Sequence, residues 1–252
     1  MKKRRKKLLK NKRKPVTLEY VKLTVTTLNL QGFNNWEQRR PDILNYLQQT
    51  DADIIVFQEV VYLPELSVLN QVQLLNQDLR YPSLHSAVTR LQVGIDYPVF
   101  REGLAFVSKH PVVSTDTLIL KQEKGDEHNR IIQLIDLLID GQIVKFANVH
   151  FSITDYVDYA TAHFEETLEL LKARGETRII IGDYNLSSID GSSAYWKDDY
   201  SASTIVPYIS FPDMNKRIDY ALIPLHYQFE SIVVSDEVLT DHRALTVTVK
   251  TT

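Results

Sequence analysis

Apolar and polar positions alternate along this chain in stretches that predict strands and helices in a recurring order. Residues 21–28 alternate and predict a half-buried strand with Asn29 at its end. Trp36, Ile43, Leu44 and Leu47 have helical spacing and predict a helix over 36–49, with Pro41 kinking it or delaying its start. Residues 53–58 are an apolar run that delivers Glu59 at its C-terminal end, and Leu66, Leu69, Leu74 and Leu75 predict a second helix over 63–79. Strands follow at 83–89, 102–108, 112–120, 130–139 and 142–150. The last two are joined by Asp140-Gly141, a favoured two-residue hairpin turn that makes them antiparallel and argues against an all-parallel doubly wound sheet.

The clearest helix is 157–174, with Ala160, Phe164, Leu168 and Leu171 on one face and Gly175 beyond it. Three isoleucines, 179–181, then predict a buried strand that Gly182 ends, so that Asp183 and Asn185 emerge at its tip. Residues 187–203 read as an irregular loop with at most a short helix, and 210–216 as a turn. Residues 217–223 form a strand with Asp219 inside it, and further strands follow at 229–234 and 244–250. An acid within an apolar strand is costly to bury alone, so Asp219 needs a partner. The strand-then-helix rhythm points to two similar halves without a solenoid-type repeat.

Several predicted strands end in chemistry: Asn29, Glu59, His150, Asp183 with Asn185, and Asp241 with His242. Taken singly, Gly-Asp-x-Asn is also a turn sequence and His150 also reads as a hydrogen-bonded structural histidine. Together, polar residues placed repeatedly just past strands are what one catalytic face at the edge of two packed sheets requires.

Composition changes the picture in two respects. There is no cysteine, so any metal must be held by oxygen or imidazole. Charge is also divided unevenly. Residues 1–14 hold ten of the 29 Lys+Arg and no acid, which leaves 19 basic against 32 acidic residues and a formal net of −13 for the rest. A body of that charge repels polyanions unless cations or the tail compensate. The tail reads either as a disordered solubilising arm or as an electrostatic anchor for nucleic acid or an anionic membrane. One domain is expected over 15–252. With no apolar run near ~20 residues, a cytoplasmic protein, alternatively peripheral at a membrane, is the expectation.

The motifs Leu28-Asn29, Gln58-Glu59-Val60, Asn148-Val-His150, Gly182-Asp-Tyr-Asn185, Arg217-Ile-Asp-Tyr220 and Asp241-His242 occur in the order found in the endonuclease/exonuclease/phosphatase superfamily, which the chain resembles from about Val21 to Val249. The resemblance implies an α+β fold, a four-layer α/β/β/α sandwich of two mixed, mainly antiparallel sheets. It also implies hydrolysis of phosphoesters by water with Mg²⁺, or Mn²⁺, held by Glu59 with help from Asn29 and Asp241. By the same resemblance Asp183 orients or deprotonates the water and Asn185 holds the nucleophile or a phosphate oxygen. His242 contacts phosphate with Asp219 behind it, and His150 donates to phosphate or the leaving group, the two histidines being assigned only as a pair. Asn29 is also a candidate phosphate contact.

Departures from the family pattern are Tyr184 where Phe is commoner, Val149 where Thr is common, and no evident Arg among Tyr156, Tyr159 and His163. Arg130 and Glu102 read equally well as solvated or structural residues. A phosphodiesterase or nuclease is the leading expectation. The alternatives are a phosphatase or phospholipase-C-like enzyme on a small or lipid-borne phosphoester, and, further off, an inactive binding module.

Overall fold

A computed structural model describes residues 20–92, 100–153 and 158–252; the basic stretch 1–14 and Tyr156 lie outside the described residues. The strands are β1 (Lys22–Asn29), β2 (Ile54–Tyr62), β3 (Ser83–Gln92), β4 (Phe100–Ser108), β5 (Val112–Ile119), β6 (Ile131–Ile139), β7 (Gln142–His150), β8 (Ile179–Asp183), β9 (Tyr200–Ala202), β10 (Asp219–Pro224), β11 (Tyr227–Val234) and β12 (Leu245–Thr251). The α-helices are α1 (Trp36–Thr50), α2 (Gln71–Leu79), α3 (Tyr159–Ala173) and the short α4 (Ser193–Trp196). Two six-stranded sheets result, ordered β11-β12-β1-β2-β4-β3 and β5-β6-β7-β8-β10-β9.

Alternation within the apolar runs builds the layers. Ile54 and Val56 point between the sheets and Ile55 and Phe57 outward; Ile179 and Ile181 point inward and Ile180 outward. The outward residues of the first sheet meet Trp36, Ile43 and Leu47 of α1 and Val72 and Leu75 of α2, and those of the second meet Ala160, Phe164, Leu168 and Leu171 of α3. Three apolar cores therefore separate four layers, the α/β/β/α sandwich expected. Each sheet has one parallel pair, β1 with β2 and β7 with β8, each joined by a crossover helix, and all other pairings are antiparallel. The two sheets thus repeat one topology, which is the two-halves rhythm of the sequence.

Several local expectations change. α1 starts at Trp36 and runs through Pro41, whose missing N–H forfeits one bond near the start while the buried face of Trp36, Ile43 and Leu47 holds the helix down. α2 starts only at Gln71. Asn70 caps it, accepting from Gln73 N (2.8 Å) while Gln73 Oε1 accepts from Asn70 N (2.9 Å), so the Asn and Gln that weaken the helical pattern are its capping box. A short strand, β9, lies in the region read as loop. Asp219 begins β10 rather than lying inside it.

Gly182 does not end its strand. It pairs with Val149 and Tyr220 at φ 151°, and a Cβ there would lie 2.1 Å from the Val149 carbonyl oxygen. Only glycine lets β8 approach β7 this closely while carrying Asp183 to the sheet edge.

Candidate active site

The C-terminal ends of the two parallel pairs bring the site together, and equivalent positions of the two sheets supply it. Asn29 is paired with Gln58 at the end of β1, and His150 with Asp183 at the end of β7. Glu59 is not at a strand end. It sits within β2 at φ 51°, in a bulge that breaks the β2–β4 register between Phe57 and Val60. The bulge turns one residue of an otherwise buried strand toward the cleft.

Its cost to the ladder is offset from the other sheet. Asn148 Nδ2 on β7 lies within hydrogen-bond distance of the carbonyls of Phe57 and Ala105 (both 3.2 Å) and of Gln133 Oε1 (3.1 Å), which share its two hydrogens, and its Oδ1 accepts from Gln58 Nε2 (2.7 Å). Gln58, Gln133 and Asn148 are fully buried, so this network ties the sheets directly beneath the cleft.

Asp183 is the hub. Its Oδ1 accepts from Asn185 N (2.8 Å) and its Oδ2 from Asn29 Nδ2 (3.0 Å), with His150 Nε2 at 3.6 Å and His242 Nε2 at 3.7 Å from that same oxygen. Burial pushes its carboxyl up to about 6, with the His242 charge and the hydrogen bonds from Asn29 and Asn185 opposing. Asn29 also donates to Glu59 Oε1 (3.2 Å), while its Oδ1 accepts from Gln31 N (2.9 Å). The amide nitrogen, not the oxygen, therefore faces the two carboxylates. Asn185, at φ 52°, is held by Nδ2 to the Phe151 carbonyl (2.9 Å).

The histidines have opposite partners. His242 Nδ1 meets Asp219 Oδ2 at 2.9 Å; although burial works against the charge, Asp219 and Asp183 hold the imidazolium up to about 10. Asp219 thus has the partner that its burial demands. The loop carrying Asp241 and His242 is fixed by Thr240, whose hydroxyl donates to the Asn29 carbonyl (2.9 Å) and accepts from His242 N (2.9 Å). Phe211 packs T-shaped against the His242 ring, centroids 5.0 Å apart.

His150 Nδ1 lies 2.9 Å from Arg130 Nη1, and burial, aided by the Arg130 and Arg90 charges, holds this ring well below the usual imidazole range. Arg130 is the residue that sequence reasoning undervalued. Its signal was available, because the Asp140-Gly141 turn sets Ile139 opposite Gln142, and counting back along the hairpin brings residue 130 beside the end of β7.

Oxygen ligands for a hard cation are present. Asp241 Oδ1 is buried without a hydrogen-bond partner among the described residues, and burial together with the Glu102 charge pushes Glu59 up to about 7, as expected of a carboxylate short of positive charge. Both line one cavity of about 580 Å³ with Asp183, Asn185 and His242. Asp183, Asp219 and His242 also have donor atoms within 4.8 Å of one another, but one of those donors is an imidazole nitrogen, whose proton a metal would have to displace, and a hard cation prefers oxygen. Glu59 and Asp241 are the better set. Arg39, anchored on the carbonyls of Asn34 (2.6 Å) and Gly32 (3.3 Å), brings positive charge near both.

The departures from the motif pattern are packed. Tyr184 is buried against Phe151, Phe164 and Tyr220 with its hydroxyl on the Ile180 carbonyl (3.2 Å), Val149 is in the core, and His163 is buried and accepts from Ser152 N (3.3 Å).

The family model for the Endonuclease/Exonuclease/phosphatase family matches residues 26–242. A search of curated proteins returned no match. Among solved structures, a family protein from Bacteroides thetaiotaomicron is 18% identical, covering 93% of this chain and 99% of its own, with TM-score 0.71. The human Nocturnin catalytic domain with bound sulfate is 16% identical, covering 93% and 97%, with TM-score 0.71. A mannosyl-6-phosphatase from Bacteroides thetaiotaomicron VPI-5482 is 20% identical, covering 89% and 98%, with TM-score 0.64. At these identities the likeness is one of fold.

Proposed function

Because the chain belongs to the endonuclease/exonuclease/phosphatase family, we propose that it is a metal-dependent phosphoester hydrolase acting on a phosphodiester by direct attack of water. The observation that carries this reading is the convergence of both histidine Nε2 atoms on one oxygen of Asp183, beside the carboxylates of Glu59 and Asp241. Glu59 and Asp241 hold the cation, and Asn29 aligns Glu59 with Asp183 through its two donated hydrogen bonds. Mg²⁺ or Mn²⁺, when bound, neutralises charge on the phosphoryl oxygens.

The chain's own groups supply the rest. Asp183, with its carboxyl near 6, is ionised at neutral pH yet basic enough to take the proton of the attacking water. Asn185 fixes the water or a phosphate oxygen. His242, a cation backed by Asp219, faces the growing negative charge. His150 donates a hydrogen bond toward the leaving-group oxygen as the P–O bond breaks.

A second reading, a small or lipid-borne phosphoester, is favoured by the cavity itself. Its wall beyond the polar residues is apolar, with Ile153, Leu186, Phe211, Met214 and Ile218, and the body is acidic. A discrete pocket of this kind suits one organic group better than a duplex.

The test is hydrolysis of an activated aryl phosphodiester and nicking of supercoiled plasmid, each with Mg²⁺ or chelator, by the full chain, by a version starting at Pro15 and by Asp183→Asn. Mg²⁺-dependent turnover of the aryl diester that Asp183→Asn lowers by at least ~10³-fold supports the hydrolase. Full activity in Asp183→Asn overturns it. Salt-sensitive nicking that needs residues 1–14 assigns them to nucleic acid; aryl hydrolysis without nicking moves the substrate to the small or lipid class.

A further inference from the structure

His242 has an acid behind it; His150 has an arginine. The guanidinium can only donate, so the Arg130 Nη1 contact at 2.9 Å makes His150 Nδ1 the acceptor. The single proton of the neutral ring is then on Nε2, the nitrogen 3.6 Å from Asp183 Oδ2 and 3.9 Å from Glu59 Oε1. Glu102, an acid whose charge acts on Arg130, is engaged by Arg90 through Nε (3.2 Å) and Nη2 (3.1 Å).

Arg130 is fixed through its backbone, while its Nε is buried with no hydrogen-bond partner among the described residues. It is 2% exposed, and its carbonyl accepts from Leu120 N (3.0 Å). The loop that delivers it is fastened to the chain just past His150, because Ser152 Oγ donates to Asp126 Oδ2 (2.6 Å). From the other side, His163 Nε2 holds the Lys121 carbonyl (3.0 Å).

We propose that Arg130 is a positioning residue that locks His150 in the Nε2–H form, so that its proton points at the reacting phosphoester oxygen. The inference rests on the phosphoester reading for its purpose but not for its test. An acid in Arg130's place would turn the proton to Nδ1 or charge the ring; the arginine keeps one neutral donor beside one imidazolium. The two histidines then differ by role, His242 carrying charge and His150 carrying direction.

Ring-nitrogen NMR of the full-length, ¹⁵N-histidine-labelled protein at neutral pH, with His150→Gln for assignment, reads the tautomer directly. The expected wild-type signature is a bare Nδ1 and a protonated Nε2. Arg130→Lys, another obligate donor, keeps that signature, whereas Arg130→Met loses it and lowers kcat on the aryl diester by roughly 10²-fold with KM little changed. A wild-type ring protonated on Nδ1 overturns the proposal without needing any variant to fold. So does a folded Arg130→Met that keeps a pure Nε2–H signature. A locked tautomer in a protein that hydrolyses no phosphoester leaves Arg130 as the positioning residue and overturns the hydrolase reading alone.

Discussion

Gln58 on one sheet donates its side-chain Nε2 hydrogen to Asn148 Oδ1 on the other at 2.7 Å, with both residues fully buried. The same Asn148 satisfies the carbonyls of Phe57 and Ala105, just where the bulge carrying Glu59 interrupts the β2–β4 ladder. The geometry of the cleft-lining Glu59 carboxylate is therefore maintained from the opposite sheet. Asn148→Ala removes one of the partners of Gln58, leaving it Thr27, takes a donor from two backbone carbonyls and opens a small cavity, and is expected to cost about 2–4 kcal/mol. Urea denaturation measures it, and a double-mutant cycle with Gln58→Ala should return a coupling of at least ~1 kcal/mol; additive single effects would mean that the two residues act separately.

Gly182→Ala tests whether the approach of β8 to β7 is obligatory. The new Cβ would meet the Val149 carbonyl at 2.1 Å on the backbone of the neighbouring strand, which cannot swing aside as a side chain would. A loss of about 3 kcal/mol or more is expected from the denaturation midpoint, accompanied by loss of activity because Asp183 is the next residue. A variant of unchanged stability would show that the strands can separate locally without cost.

These two sites show what the sequence could and could not convey. The apolar runs in 53–58 and 179–181 identified buried strands, and the polar residues past them identified the cleft. The bulge at Glu59 was invisible, because a positive φ at a glutamate has no compositional signature and is set by pairing with β4. Gly182 read as a terminator because glycine usually interrupts strands; its actual reason, a backbone carbonyl from β7, is a long-range fact. Arg130 fell between. The residue type was uninformative, but the hairpin turn ten residues later already fixed its neighbour. Asn70 and Gln73 form a local signal, a capping box at three-residue spacing, that competes with the apolar spacing of Leu66 and Leu69 before it.

The His242–Asp219 pair gives the folded protein a pH dependence of definite sign. Folded His242 keeps its proton up to about 10, against an ordinary value of 6.5, so between those values the folded state holds a proton that the unfolded state has released. Stability from this group is full below about 6.5 and declines as pH rises toward 10. Denaturation midpoints measured upward from neutral pH without metal should fall, and Asp219→Asn should flatten the slope while lowering stability at neutral pH. A wild-type profile that is flat across this range would mean that the imidazole is neutral and that its role as the phosphate-facing cation is wrong.

Metal binding should run in the opposite direction with pH. Without a cation, burial and the Glu102 charge hold Glu59 up to about 7, so the folded protein takes up a proton there that the unfolded chain, near 4.5, does not. A cation on Glu59 and Asp241 competes with that proton, so its affinity rises as pH increases through 7. The Mg²⁺-induced increase in Tm is therefore expected to be larger at about pH 8 than at about pH 6, with roughly 2.7 kcal/mol of stabilisation at a hundredfold excess over Kd. Glu59→Gln keeps the side chain's shape and its contact with Asn29 but removes the charge, and should abolish most of the shift. Asp183→Asn should retain it, because Asp183 acts on water in this scheme and is not a ligand. If instead Asp183→Asn loses the Mg²⁺ response and Glu59→Gln keeps it, the cation sits among Asp183, Asp219 and His242, and the roles of the two carboxylates must be exchanged.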